Sequence, residues 1–397
     1  MQVIDLNKEE KIIPLFRLAF RPFFLFAALF SIVALSLWGL MWFGQLSFLP
    51  YGNWFWWHGH EMLFGFVGAV ITGFLLTAVQ NWTGQLGLRG LPLLALFAVW
   101  LLGRIVLLFP GSLPNLLVAI IDISFLPLVA AVMVFFVVRA RLWRNMLFVP
   151  VLLILATLNG FMHWAAAGND VLLYKKLSTT VIFLILFLVS LMGGRVIPMF
   201  TANGTNTEKT APIKWLEITS LVSILLMALG TLISLDATAM GFLCLLAFAS
   251  HLIRTLRWRI WITFRVPLLW SLHIACLFLA LGFLQLALFH WGFIDDYVSV
   301  LHTLTVGSIG LIILAMITRI SLGHTGRSLQ IGPVMTLAFT ALVAATLARA
   351  VWPLLASVPP FSMVYSVSIA FWVLGFAAFI FAYLPILTKP RVDGRPG

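Results

Sequence analysis

The sequence predicts an all-α protein that crosses a membrane about twelve times, and three observations lead to this fold class. Of the 397 residues, 62% are hydrophobic and only 9% are Asp, Glu, Lys or Arg, whereas soluble domains carry roughly 25% charged residues. The apolar residues form runs long enough to cross a bilayer as helices. The short alternating segments that indicate an outer-membrane β-barrel are missing. A soluble enzyme and a disordered protein are therefore excluded.

Twelve apolar runs are candidate membrane spans, because each approaches the roughly 20 residues that a helix needs to cross a bilayer. Their approximate limits are 22–43, 59–80, 91–109, 115–138, 146–167, 177–200, 214–234, 237–254, 266–290, 297–318, 332–352 and 363–387. No segment between them is long enough for a soluble domain. We therefore expect one integral membrane domain over residues 1–397.

The positions of the basic residues predict the orientation. With the N-terminus in the cytoplasm, 20 of the 24 Lys and Arg residues, from Lys8 to Arg395, fall at the cytoplasmic side. This asymmetry follows the positive-inside rule and predicts that both termini are cytoplasmic. The net charge of +12 is then a feature of topology and of contact with lipid headgroups. The lipid bilayer is the expected partner, and no nucleic acid is expected.

The histidines and the few ionisable groups inside spans are the first candidates for function. Such groups cost several kcal/mol in a membrane unless they are paired or bound to a ligand. In the predicted orientation, the outer ends of the spans hold a set of these groups: His58, His60, Glu61, Arg104, Asp122, His163, His290, His302 and Arg349. Neutral imidazole is the commonest metal ligand, and haem without covalent attachment needs an axial side chain such as His. The set favours a metal or haem site near the outer side, and separately hydrogen-bonded interfacial residues are the alternative.

His58 and His60 are not expected to bind the same ion. Side chains two residues apart on a helix point roughly 200° from one another, so they serve two centres or one orients the other. Gly65 and Gly68 follow on the same span and would permit close approach of a flat macrocycle. Tight helix–helix packing explains these glycines equally well.

An internal repeat links His60 to His302. The spacing of His60, Gly65 and Gly68 recurs in His302, Gly307 and Gly310, and a Thr-Gly pair follows each His after 23 and 24 residues. The similarity indicates two parallel units of about 20–84 and 264–326, and coincidence within helices of biased composition is the alternative. If the repeat holds, the two histidines lie at equal depth, and we expect them to be close together at the outer end.

A second polar set is predicted at the inner side. The segment 193–198 contains Gly-Gly-Arg and ends in Pro198, which is expected to break the sixth span and turn Arg195 toward the protein. Three further residues are expected after the tenth span: Arg319, His324 and Arg327. The guanidinium fork suits carboxylates, including haem propionates, although contact with the membrane surface explains Arg327 as well. His273 lies inside the ninth span and is either a ligand or a hydrogen-bonded core residue.

Five sequence blocks together resemble one family. They are Trp57-His58-Gly59-His60-Glu61-Met62 followed by GFLLTAVQNWTG, GGRVIPMFT at 193–201, LWSLH at 269–273, LHTLTVGSIG from Leu301, and RISLGHTGR ending at Arg327. In this order they are similar to the NnrS family along nearly the whole chain. Gly59 stands where Ala is expected and Gln80 where Pro is usual, and neither residue is a candidate ligand.

The resemblance implies a bacterial inner-membrane protein that contains haem b and copper and acts in nitric oxide and nitrosative stress during denitrification. It also implies that the His-rich positions of the family correspond to metal-binding residues here: His58, His60, His163, His273, His302 and His324. The accompanying cofactor-binding candidates are Arg195, Arg319, Arg327, Gly65, Gly68, Gly307 and Gly310.

Residues and resemblance together favour a haem–copper centre near the outer side that binds nitric oxide or processes it by redox chemistry. His60 and His302 are the main ligand candidates, and Glu61 would orient an imidazole or pass a proton as the catalytic residue. The partners would be nitric oxide and a quinol or other electron donor. Two alternatives stay open: a proton-coupled secondary transporter, whose plan also has about twelve helices and repeats, and a haem-bearing quinol oxidoreductase.

Overall fold

The computed structural model describes residues 9–355 and 361–395, and it confirms the predicted class and the twelve spans. Numbered α1 to α12, the membrane-length helices are Phe20–Trp42, Trp54–Thr83, Leu91–Leu108, Asn115–Arg139, Asn145–Ala167, Val171–Thr205, Lys214–Ile233, Ala237–Ile262, Pro267–His290, Tyr297–His324, Pro333–Leu355 and Ser362–Thr388. No β-strand occurs in these described ranges. Lys8, which contributes to the predicted orientation, lies outside them.

The chain divides into two compact units. Unit 1 comprises Met1–Ser178, Ile320–Leu329 and Phe379–Gly397, and unit 2 comprises Thr179–Arg319 and Gln330–Ala378. Within unit 1, α1 packs on α2, α2 packs on α4, and α4 packs on both α3 and α5. Within unit 2, α8 packs on α7 and α9, and α10 packs on α9 and α11. The single membrane domain and the cytoplasmic termini stay predictions.

Several helix starts follow from residues with a capping role. Asn53, Asp236 and Asp296 each accept a hydrogen bond from the backbone N–H three residues later, at the starts of α2, α8 and α10. Such caps satisfy N–H groups that have no partner inside the helix. Proline stands in the first turn of α3, α9 and α11. N–H groups in a first turn have no partner inside the helix, so the missing N–H of proline costs no hydrogen bond there.

The predicted end of the sixth span is wrong. The helix α6 continues through Pro198 to Thr205, so Arg195 lies on a helix rather than in a loop, and its side chain is exposed. The proline ring is expected to clash with the carbonyl four residues earlier, and that residue is Gly194, whose backbone has no Cβ to restrict its adjustment. The tenth span likewise extends beyond its prediction, and α10 includes Arg319 and His324.

The two copies of the repeat share an uncommon backbone feature. A π-helical segment begins directly after His60, at Glu61–Val67, and another begins directly after His302, at Thr303–Gly310. Since π-helical turns are rare and concentrate at functional sites, their matching positions support the repeat. His60 belongs to unit 1 and His302 to unit 2, and their closeness stays a prediction.

The repeat glycines of unit 2 lie against protein side chains. A Cβ on Gly310 would be 2.6 Å from Cζ3 of Trp372, and one on Gly307 would be 2.7 Å from Cγ2 of Thr346. These glycines therefore permit close helix packing. A Cβ on Gly68 would meet nothing closer than the Leu63 carbonyl oxygen at 3.9 Å.

The two repeat copies provide a matched test of this packing. Gly310→Ala should lower the free energy of unfolding by about 1–3 kcal/mol, because it overpacks the contact with Trp372. Gly68→Ala should be neutral or slightly stabilising, since the new methyl group has room and Ala favours a helix over Gly. Thermal unfolding in detergent, followed by labelling of the buried thiols of Cys244 and Cys276, measures both. Equal melting temperatures for the two variants would contradict the packing role.

Candidate metal centre

Four helices of unit 1 bring ionisable side chains together at one end of the unit. His60 comes from α2, Arg104 from α3, Asp122 from α4 and His163 from α5. Consecutive helices run in opposite directions, so the start of α2, the end of α3, the start of α4 and the end of α5 meet. All four side chains are buried, with exposed fractions of 0% for His60 and 5% or less for the others.

The carboxylate of Asp122 is the centre of this cluster. Its Oδ2 accepts a hydrogen bond from the Asn159 amide at 2.7 Å and lies 3.1 Å from Nε2 of His163 and 3.2 Å from Nε2 of His60. Its Oδ1 accepts a hydrogen bond from the Arg104 guanidinium. One carboxylate thus joins two imidazoles, one amide and one guanidinium.

The His60 ring faces an oxygen at each of its nitrogens. Nδ1 lies 2.9 Å from Oε1 of Glu61, and Nε2 lies 2.7 Å from Oδ1 of Asn159. The Asn159 amide nitrogen donates to Asp122, which assigns the oxygen of that amide to the side of His60. Because two oxygen acceptors flank the ring, each nitrogen carries either a proton or a metal ion in this arrangement.

The net charge of the cluster also calls for a proton or a metal ion at His60. Glu61 and Asp122 supply two negative charges, and Arg104 supplies one positive charge. The remaining negative charge is costly in a buried site unless a cation balances it. A second proton on His60 or a bound metal ion provides that balance.

Aromatic side chains fix the two imidazoles. The Trp56 ring stacks on His60 with centroids 4.4 Å apart and planes 13° apart, and its Nε1 donates to the Met162 carbonyl at 3.0 Å. Trp56 and Tyr51 each lie 5.2 Å from the His163 ring. These contacts limit rotation of both imidazoles and cover the cluster with apolar surface.

Gly65 allows the guanidinium to approach the second carboxylate. Nη1 of Arg104 lies 3.2 Å from Oε1 of Glu61. A Cβ on Gly65 would be 2.7 Å from that Nη1 and 2.6 Å from Cε1 of Phe30, so a larger residue would displace one of them. Oε2 of Glu61 and Nε of Arg104 are buried and have no hydrogen-bond partner among the described residues. Such orphaned atoms indicate an unseen water or ligand.

Three of the side chains have the composition of a metal site. One donor atom each from His60, Asp122 and His163 can be chosen so that all lie within 4.8 Å of one another. Two imidazoles and one carboxylate suit a first-row transition metal ion. Glu61 next to Nδ1 of His60 matches the carboxylate that commonly orients a metal-binding imidazole.

Comparison with known proteins identifies the family of this chain. The family model described as NnrS protein matches residues 14–391, nearly the whole length. The chain belongs to the NnrS family. It is thus a multi-pass membrane protein related to nitric oxide stress, in a family generally associated with haem and metals. No curated protein matches the sequence.

Within unit 1 of this NnrS protein, the remaining predicted residues lie outside the cluster. His58 stacks on Trp38, with ring centroids 4.6 Å apart, so it points away from His60 as the helical spacing predicts. At the opposite end of the unit, the His324 ring lies 5.6 Å from Phe20. Arg327 donates to the Thr325 carbonyl at 3.5 Å.

In unit 2 the predicted residues are distributed among several helices. Nε2 of His273 lies 2.9 Å from the Thr201 hydroxyl, and Nδ1 of His302 lies 2.7 Å from the Val298 carbonyl. The Arg319 guanidinium lies over the Phe200 ring, 3.8 Å from its centroid. A ligand role for each of these groups stays a prediction.

The sequence did not reveal every member of the cluster around Asp122. Arg104 and Asp122 are conspicuous as ionisable residues in spans, but the sequence does not show that they meet. Asn159 precedes His163 by four residues, and Trp56 precedes His60 by four, so each pair shares a helix face. Those spacings are the signal that could have found Asn159 and Trp56.

Replacement of the central carboxylate tests the electrostatic description. Asp122→Asn should destabilise the protein by about 3–5 kcal/mol, because it leaves the buried Arg104 guanidinium without its closest counter-charge. Adding Arg104→Met should recover part of the loss, since the uncompensated cation is removed. Thermal unfolding in detergent is the measurement.

The control is the pair of Asp393 and Arg391, whose Oδ2 and Nη2 are 2.5 Å apart and of which Asp393 is exposed. Asp393→Asn should change the melting temperature little, because water replaces the lost partner. Similar losses for Asp122→Asn and Asp393→Asn, or no recovery in the double variant, would contradict the account.

Proposed function

We propose that this chain is a bacterial inner-membrane protein that binds nitric oxide at a metal ion held by His60, Asp122 and His163. One observation carries the proposal: two buried imidazole nitrogens lie within 3.2 Å of the same carboxylate oxygen. The excess negative charge of the cluster favours a cation at that point. Family membership connects the chain with nitric oxide stress.

The surrounding residues have separate roles in this site. Glu61 accepts the Nδ1 proton of His60 and keeps the Nε2 lone pair directed at the metal position. Arg104 holds the second oxygen of Asp122, which leaves one oxygen as the ligand. Asn159 keeps His60 and Asp122 together through the two ends of its amide.

Copper fits this donor set, because imidazole is a preferred ligand of copper. Haem does not fit at His60, since Trp56 stacks on the ring face and oxygens of Asn159 and Asp122 lie 2.7 Å and 3.2 Å from Nε2, which leaves no space for a macrocycle beside that nitrogen. The space beside Gly65 is filled by Arg104 and Phe30, which leaves no room there for a macrocycle.

His302 has the chemistry of a haem ligand. Its Nδ1 lies 2.7 Å from the Val298 carbonyl oxygen, so that nitrogen carries the proton and the lone pair lies on Nε2. This is the tautomer that binds iron, with the backbone bond orienting the ring. We therefore assign haem b to His302 rather than to His60 in this proposal.

The site suits nitric oxide for physical reasons. Nitric oxide is a small gas of low polarity that dissolves in lipid, so it can reach a buried site within the membrane. A redox metal ion supplies a binding position for nitric oxide and a means of electron exchange. Glu61 is the proposed catalytic residue, because its Oε2 is buried, without a described partner, and beside Arg104, where it can accept a hydrogen bond from a water or ligand. A quinol is the proposed source of electrons.

Metal analysis and electron paramagnetic resonance (EPR) of the purified full-length protein test the proposal. Wild type should contain about one non-haem metal ion per chain and show an EPR signal that changes when nitric oxide is added. His60→Ala and His163→Ala should remove that ion and the change, because each deletes a ligand. The matched control His290→Ala should retain both.

Folding and haem content are measured in the same samples. His163→Gln keeps a polar side chain near Asp122, so it should lose the metal while it retains the wild-type melting temperature more closely than His163→Ala. A Soret band should persist in the His60 and His163 variants and disappear in His302→Ala. Purified wild type without bound metal, or metal retained in all variants, would overturn the assignment and favour the transporter alternative.

A further inference from the structure

At the end of unit 1 opposite the metal centre, six cationic side chains come from four separate segments of the chain. These segments are 9–21, 89–90, 324–327 and 389–393. We call the six residues the inner cation cluster: Arg17, Arg21, Arg89, Arg327, Lys389 and Arg391. The proposed nitric oxide site uses none of these residues.

Hydrogen bonds hold the C-terminal segment against α1 and α10. Nη1 of Arg21 donates to the carbonyls of Leu387 at 2.9 Å and Lys389 at 2.7 Å. Nη1 of Arg391 donates to the His324 carbonyl at 2.8 Å, next to the segment that carries Arg327. These bonds bring Arg21, Lys389, Arg391 and Arg327 to one place.

The N-terminal segment is attached at the same end. The Gly90 N–H donates to the Phe16 carbonyl at 2.8 Å, and Arg89 forms an ion pair with Glu9 at 2.8 Å. Nε of Arg17 donates to the Ile12 carbonyl at 3.0 Å. Arg17, Arg327 and Arg391 are all close enough to Arg21 to repel its charge.

The described carboxylates do not neutralise this cluster. Glu9 pairs with Arg89, and Asp393 pairs with Arg391. The hydrogen bond from Arg391 holds the pKa of Asp393 well below its ordinary value, so Asp393 stays an anion at neutral pH. The exposed Glu10 and Lys11 cancel one another. Arg21 aside, five cations against two anions leave an excess of three positive charges among the described residues, which favours an anionic ligand.

Apolar side chains beside the cluster distinguish a lipid from a soluble anion. Ile13 is 67% exposed and lies in the same segment as Arg17, and Leu91, directly after the segment of Arg89, is 79% exposed. The backbone bond between Gly90 and Phe16 keeps these two segments together. Cations next to exposed apolar side chains at a helix end match the boundary between phosphate headgroups and acyl chains.

We propose that the inner cation cluster binds the phosphate of an anionic phospholipid such as phosphatidylglycerol. Arg17 and Arg327 are half-buried and contact the phosphate, while Arg21, which is fully buried, adds its positive field. The acyl chains lie beside Ile13 and Leu91. The predicted orientation places this site at the cytoplasmic membrane surface.

Lipid-dependent thermal unfolding of the full-length protein tests the proposal. Added phosphatidylglycerol should raise the melting temperature more than phosphatidylcholine does. The double variant Arg17→Gln/Arg327→Gln should need roughly 25-fold more phosphatidylglycerol for the same rise, at about fivefold for each cation near an anionic surface. Its melting temperature without lipid should stay close to that of wild type, because neither side chain carries a described ion pair and each loses one hydrogen bond to a carbonyl of its own segment.

The matched control is Arg139→Gln/Arg141→Gln, which removes the same charge at the same predicted membrane side but outside the cluster. It should keep the lipid response of wild type. An equal loss in this control would overturn the proposal in favour of a diffuse surface effect. A rise with inorganic phosphate alone, at the concentration used for the lipid, would overturn it in favour of a soluble anion.

Discussion

The rest of the structure depends on the cost of charge in a low-dielectric interior. Arg104 and Asp122 lie in helices with lipid-compatible composition, and neither could remain ionised there alone. Oδ1 of Asp122 pairs with the guanidinium. Its Oδ2 accepts a hydrogen bond from the Asn159 amide and lies next to the imidazoles of His60 and His163. Because Asp122 and these partners come from four helices, the ion pair also fixes how the helices of unit 1 meet.

That arrangement determines what the site can do. The carboxylate that neutralises Arg104 is the same group that presents an oxygen between His60 and His163, so a single residue would serve both stability and the proposed metal binding. Glu61 also belongs to this network, and its buried Oε2 has no hydrogen-bond partner among the described residues. A cluster with one unbalanced negative charge and two constrained imidazoles is suited to a cation. The fixed imidazoles reduce the reorganisation that binding would need.

The backbone supports the same centre. The π-helical segment after His60 contains both Glu61 and Gly65, the residues that approach the Arg104 guanidinium. A matching segment follows His302 in unit 2, although different side chains surround it. The shared π-helical backbone indicates a repeated scaffold whose two copies carry different side chains around it.

Much of the fold could be predicted from sequence, because the length of an apolar run reports directly on a membrane span. All twelve spans were predicted, and the helical angle correctly separated His58 from His60. Span ends were less accurate: Gly194 lets α6 continue through Pro198, which a rule about proline alone does not anticipate. The contact of Arg104 with Asp122 could not be predicted, since it depends on which helices are neighbours. The same reason explains why Asn159 and Trp56 were missed.

The central claim is that His60 and His163 supply two imidazole ligands to one metal ion that responds to nitric oxide. Pulsed EPR of the copper-loaded, full-length protein counts the imidazole nitrogens directly. We predict two coordinated imidazoles in wild type, loss of this copper signal in His60→Ala and in His163→Ala, and a changed signal after nitric oxide is added to wild type. Two imidazoles retained in both variants, or a copper signal without any imidazole coupling, would contradict the claim.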